Sequence, residues 1–213
     1  MRVKNSSMEE ELMNKQTETS SQLEVSAFSS AMRKLLASWP VLNVSLCNLD
    51  ISDADVRVLC SEILCHSRVM MLLLDNNNIT KRGAIMIAKS LANSPILTLS
   101  LAFNRIGDVG CVAIAELLNS SNCQLKYIDL RHNNIYDMGA RQLYTCLAPR
   151  TFTEKRGFNI DLSKNFVSTD VLNKLSNIPG LGIFATDSVE RRKVLQQSYF
   201  DFQSAENDRK AQT

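Results

Sequence analysis

Glycine and proline are sparse in this chain of 213 residues, with Gly 7 and Pro 4. That excludes collagen-like and low-complexity structure. Only two histidines are present, His66 and His132, which leaves little material for imidazole-based acid–base chemistry or metal ligation. No apolar run exceeds the six residues Val69 to Leu74, whereas a membrane helix needs about 18 or more. The six cysteines form no C-x-x-C pair, so zinc and thioredoxin-type chemistry lack their spacing, and the thiols are expected to be reduced. Neither charge sign dominates: Lys+Arg 24 against Asp+Glu 22 leaves a net charge of +2. Such a balance draws the chain neither to nucleic acid nor to an acidic membrane. The N-terminal segment has no apolar core of a secretory signal, and Glu9, Glu10 and Glu11 argue against a mitochondrial presequence. A cytoplasmic location is expected, with nuclear or cytoskeleton-associated placement as variants.

What the chain does have is self-similarity. An LxxLxLxxNxI frame fits five times, at Val41-Val44-Leu46-Leu49-Ile51, Val69-Leu72-Leu74-Asn77-Ile79, Ile96-Leu99-Leu101-Asn104-Ile106, Leu125-Ile128-Leu130-Asn133-Ile135 and Gly157-Ile160-Leu162-Asn165-Val167. The starts are separated by 28, 27, 29 and 32 residues. A fixed period of this length marks a solenoid. Behind each frame apolar and small residues recur at helical offsets: Leu59, Cys60 and Ile63, then Ile87, Ala88 and Leu91, then Ile114, Ala115 and Leu118, then Leu143, Tyr144 and Leu147. The fifth copy runs into Pro179, so its helix must be short. Gly83, Gly110 and Gly139 stand where the chain turns into each helix, and Thr80, Asp108 and Asp137 before them are expected to cap it. One unit is therefore a strand, a turn and a helix, which makes an α/β chain.

These residues resemble the leucine-rich repeat family, and the full helix in each period resembles its ribonuclease-inhibitor-like branch. The resemblance covers about residues 41 to 178 and implies a horseshoe arc of about five units with helical caps at both ends. Leu49 in place of Asn, and Gly157 and Val171 in the fifth copy, mark degraded end repeats.

The expected organisation is a disordered tail over 1–24, a capping helix over 25–40, repeats over 41–180, a C-terminal capping segment and helix over 181–205, and a second tail over 206–213. Phe28, Met32, Leu35 and Trp39 fall on one helix face before Pro40. Asp187 and Glu190 form a capping box ahead of Leu195, Tyr199 and Phe202, with a partner-binding amphipathic helix as the alternative.

Frame residues point inward to a shared core, and Asn77, Asn104, Asn133 and Asn165 are expected to form a structural ladder bonding loop backbone. The intervening residues face outward, onto what the resemblance implies is the concave side. There Met71, Leu73, Phe103 and Tyr127 are apolar or aromatic, while Asp75, Asp129, Arg131, His132, Asp161 and Lys164 are charged or ionisable. That mixture suits a partner-binding surface. The competing possibility is pairing within the sheet, Arg131 with Asp129 or Asp161.

No catalytic residue, metal ligand or cofactor site is expected. His132 has no accompanying nucleophile elbow, and the Lys-Ser ending of Gly83 to Ser90 lacks the glycine of a phosphate loop, Ala88 standing there. The leading expectation is a monomeric, non-enzymatic scaffold for a protein partner, without nucleic acid or membrane. Two alternatives follow from the resemblance: a GTPase regulator similar to the Ran GTPase-activating proteins, with Arg105 or Arg131 engaged, and a sensor or decoy similar to nucleotide-binding leucine-rich-repeat receptors.

Overall fold

The computed structural model describes residues 43–62, 69–149 and 157–184, with Ser30 standing alone. Each frame supplies one inward side chain between two outward ones, and so yields a strand of only three or four residues before the loop begins. The chain runs β1 (Asn43–Ser45), α1 (Asp53–Glu62), β2 (Met71–Leu73), α2 (Lys81–Leu91), β3 (Thr98–Ser100), α3 (Gly107–Asn119), β4 (Tyr127–Asp129), α4 (Asp137–Leu147), β5 (Phe158–Asp161), α5 (Thr169–Ser176) and β6 (Leu181–Phe184). The strands form one open parallel sheet in chain order, β1 to β6, and the helices pack behind it as a solenoid arc. The segment Gly83 to Ser90 lies in the helix α2.

Register follows the repeat: Val44, Leu72, Leu99, Ile128 and Ile160 pair in succession. All five are buried, as are Leu74, Leu101, Leu130 and the helix residues Ile87, Ile114, Leu143 and Leu175. Full burial of each such side chain stabilises by roughly 1.5–3 kcal/mol. No single unit could bury both its strand and its helix, so the core exists only between neighbours.

Sequence patterning assigns 181–205 to a cap, but its first four residues form β6, parallel to β5. The frame motif is missing there, so the strand goes unrecognised. Gly182 pairs with Asn159, whose side chain occupies the space a Cβ would take there. The remainder of that segment, the proposed helix over 25–40 and both tails lie outside the described residues.

Two polar ladders tie the repeats together. Asn77 accepts from the Leu49 and Ile51 N–H groups at 3.1 and 3.0 Å and donates to the Leu46 and Leu74 carbonyls. Asn104 accepts from Ile79 N–H and donates to Leu74, Leu101 and Ala102. Asn133 and Asn165 repeat the arrangement one and two units on.

The second ladder corrects the expected helix caps. Thr80 does cap its own helix, accepting from Arg82 N–H. Asp108 and Asp137, by contrast, lie inside the first turns of α3 and α4. Each carboxylate reaches across to the next repeat: Asp108 accepts from the Tyr136 and Gly139 N–H groups at 2.7 and 3.0 Å, and Asp137 from Ser168 N–H at 2.7 Å. Asp53 serves Thr80 and Gly83 in the same way. Gly139 is required by this approach, since a Cβ there would meet Asp108 Oδ1 at 2.7 Å.

Replacing Asn104 by Ala strands buried backbone groups of two repeats. Each orphaned group costs about 1–3 kcal/mol, so Asn104→Ala should lose about 3 kcal/mol in urea unfolding. Asn122→Ala, which removes only an exposed bond to Asn93, should stay within about 0.5 kcal/mol. Equal losses in the two variants would contradict a structural ladder.

Candidate functional site on the outer face of the sheet

Strand residues that point away from the helices form three rows across the sheet. Curvature decides which of them reach solvent, because the outward side chains of neighbouring strands crowd one another. Met71 and Leu73 on β2, and Asp75 just after it, are half-buried. Phe103, His132 and Lys164 are exposed, Phe103 at 45%. Three residues expected at a partner interface are not on the surface: Tyr127 is 1% exposed, Asp129 3% and Asp161 0%. They belong to the floor, where Tyr127 lies between Thr98 and Asn159, and Asp129 between Ser100 and Asp161. Tyr127 contributes packing instead of contact area.

The pairing alternative holds for Arg131. Its Nε donates to Asp129 Oδ1 and Oδ2 at 3.0 and 2.9 Å and lies 3.5 Å from Asp161 Oδ2. The Arg131 and Ser163 N–H groups hold the same two carboxylates, at 3.1 and 2.9 Å. Asp75 accepts from Ser100 Oγ and from Ala102 N–H. Burial pushes its carboxyl above the ordinary carboxylate range against the Ser100 hydrogen bond, and the Asp129 charge adds to the rise.

Above this floor the chain turns through left-handed backbone at one position in every repeat: Asn48, Asn76, Phe103, His132 and Lys164, with φ of 60, 51, 56, 50 and 57°. Asparagine accepts that conformation readily, whereas a bulky side chain there costs roughly 1–2 kcal/mol. The Phe103 and His132 rings stack, 4.4 Å apart and 19° from parallel, and the Arg131 guanidinium carbon sits 5.6 Å from the Phe103 centroid. His132 thus meets an aromatic ring and not a carboxylate.

A second exposed pair escaped the sequence reading. Tyr136 and Phe166 stack at 4.9 Å on the loop rim leading into the helices. The available signal was substitution within the repeat, since other copies hold Thr80, Gly107 and Ser168, or Asn78, Arg105 and Asn134, at those positions. On the helical side an open groove of about 450 Å³ runs between α2 and α3, lined by Ile85, Ala88, Val109, Val112 and Ala113 between Lys89 and Glu116. Among the described residues no His, Cys, Asp and Glu cluster has the geometry of a metal site, and no helix is long and apolar enough to cross a membrane. The five described cysteines are free thiols, and burial pushes the Cys111 thiol up.

Comparison with known proteins matches a family model described as "Leucine Rich repeat" to residues 92–115 and 121–143. The chain is similar to "RAN GTPase-activating protein 2" of Arabidopsis thaliana, 31% identical over 114 residues, which are 53% of this chain and 20% of that protein. It is also similar to "NACHT, LRR and PYD domains-containing protein 9C" of Mus musculus, at 28% over 62% of this chain and 13% of the relative. A third relative, "NACHT, LRR and PYD domains-containing protein 5" of Homo sapiens, is 29% identical over 67% of this chain and 12% of its own length. The stacked strand–helix units form a leucine-rich repeat solenoid, and the family match falls on its third and fourth units. The chain spans a fifth or less of the length of these relatives.

The Asp75 carboxyl binds its proton more tightly folded than unfolded. Stability therefore falls as pH rises from the ordinary carboxylate value through the raised one, and stays reduced above it. Asp75→Asn keeps an oxygen to accept from Ser100 and Ala102 while removing the charge. It should be more stable than wild type at neutral pH, and that gain should vanish near the ordinary carboxylate pKa. Urea unfolding at the two pH values checks this, and an identical difference at both would contradict it.

Proposed function

We propose that this chain is a non-enzymatic interaction scaffold or adaptor that binds a protein partner on the concave face of its repeat arc. The observation that carries the reading is the set of outward side chains the core does not use: Met71, Leu73, Phe103, Arg131, His132 and Lys164 on one side of a sheet fixed by five parallel pairings. Pre-formed strands need little ordering on association, so a few apolar and arginine anchors suffice for useful affinity. The chain acts as a monomer on this reading, and its partner is a protein. Its ribonuclease-inhibitor-like repeat form supports a role of this kind. The likeness to proteins named for NACHT, LRR and PYD domains supports a sensor or decoy version that uses the same face.

GTPase regulation is favoured by a different observation, the 31% identity to a protein named as a Ran GTPase-activating protein. Arg105, exposed on the rim, or Arg131 would then face the GTPase.

Affinity capture from native lysate tests both readings. Leu73→Glu should weaken capture about tenfold or more, whereas Met138→Glu on the helical rim should leave it unchanged. Capture lost only with Met138→Glu would contradict the concave site. A captured GTPase whose GTP hydrolysis the chain accelerates would establish the second reading in place of the first.

A further inference from the structure

The left-handed turn position changes character along the arc. In the first two repeats it holds asparagines, and Asn76 Nδ2 donates to Asn48 Oδ1 at 2.7 Å. From the third repeat onward it holds Phe103, His132 and Lys164. Phe103 stacks on His132 beside Arg131, outside the hydrophobic core, and nearly half of it remains in solvent. A strained residue that the core does not use points to a role on the surface.

Arg131 stands beside this turn, locked along one edge and open along the other. Its Nε is committed to Asp129 and lies near Asp161, while among the described residues no acceptor meets Nη1 or Nη2. The side chain is 19% exposed. Ala102, fully buried, occupies the row position between Asp75 and Arg131. A guanidinium held by Nε presents its terminal nitrogens as a planar fork, the geometry that a carboxylate accepts from two sides.

We propose that Arg131, Phe103 and His132 form a receptor for a segment of a protein partner in which an Asp or Glu lies beside an aromatic residue. The partner carboxylate accepts from Nη1 and Nη2, and its aromatic neighbour packs on the Phe103–His132 plate. Lys164, next after His132 in the turn row, and Arg105, two residues after Phe103, are exposed and without an ion pair among the described residues, and favour an acidic segment over a basic one. A polyanion such as nucleic acid is disfavoured, because the site offers a single guanidinium fork and not a run of cations along a groove. Recognition then depends on hydrogen-bond geometry, which one carboxylate satisfies. The inference rests on the concave face being the binding surface and names what that surface reads.

The test selects random linear peptides displayed on phage against the full chain and measures the enriched peptides by fluorescence anisotropy. Enriched peptides should carry Asp or Glu next to Phe, Tyr or Trp. Phe103→Asn restores the residue of the first two repeats, so it should raise Tm by a few degrees yet weaken peptide binding about tenfold. Arg131→Lys keeps the charge on Asp129 and should weaken binding similarly. Exchanging the peptide acid for its amide should hurt binding to wild type far more than to Arg131→Lys.

Peptides without acids, no enrichment above blank, an amide exchange without effect, or tighter binding of a single-stranded oligonucleotide would each overturn the proposal. Peptides lost with Leu73→Glu but indifferent to Phe103→Asn and Arg131→Lys would overturn it while leaving the concave reading intact. Indifference to all three variants would remove both.

Discussion

Each repeat ends its strand in a loop whose N–H and C=O groups point into the stack, where water cannot reach them, and the asparagine of the next repeat supplies their partners. Asn77 bonds Leu49, Ile51, Leu46 and Leu74; Asn104 bonds Ile79, Leu74, Leu101 and Ala102. Buried backbone left without such bonds costs more than most single contacts return. The loops therefore hold their shape only when stacked, and the apolar core between strands and helices forms under the same condition. On the helix side Asp53, Asp108 and Asp137 repeat the logic with carboxylates on neighbouring N-termini, where the helix dipole favours negative charge. Ser168 N–H, bonded to Asp137, holds that carboxyl below the ordinary range.

That rigidity shapes the outer face. A sheet pinned at every loop leaves its outward side chains nowhere to move, so they divide by position. Those in the middle rows pack sideways and become floor, as Tyr127, Asp129 and Asp161 do. Those at the left-handed turn are lifted into solvent. Arg131 connects the two levels, with one edge fixed in the floor by carboxylates and a terminal edge beside the exposed Phe103 and His132 rings.

Strands, helices and register were legible in the sequence because the residues that set them recur at a fixed period and serve the core. Leu72, Leu99 and Ile128 could be aligned by inspection, and they pair in that alignment. What lacked the period was missed. β6 has no frame, although it pairs with β5 in register. Asp108 and Asp137 were assigned to their own helices, because spacing alone does not show that a carboxylate bonds one repeat ahead. Burial on the outer face is not legible either: alternation says which way Tyr127 points, but not that it is 1% exposed. The Tyr136–Phe166 pair was open to detection as two aromatic departures from polar rows.

The central claim is that stacking fixes the fold while the concave side is left to meet another protein. Amide hydrogen exchange on the chain, alone and with a purified binding protein, tests it most directly. New protection is expected at residues 71–76, 98–103 and 127–132, on the outer side of the sheet, with the helical side unchanged. Protection confined to residues 85–92 and 109–120, along the groove between α2 and α3, would contradict it.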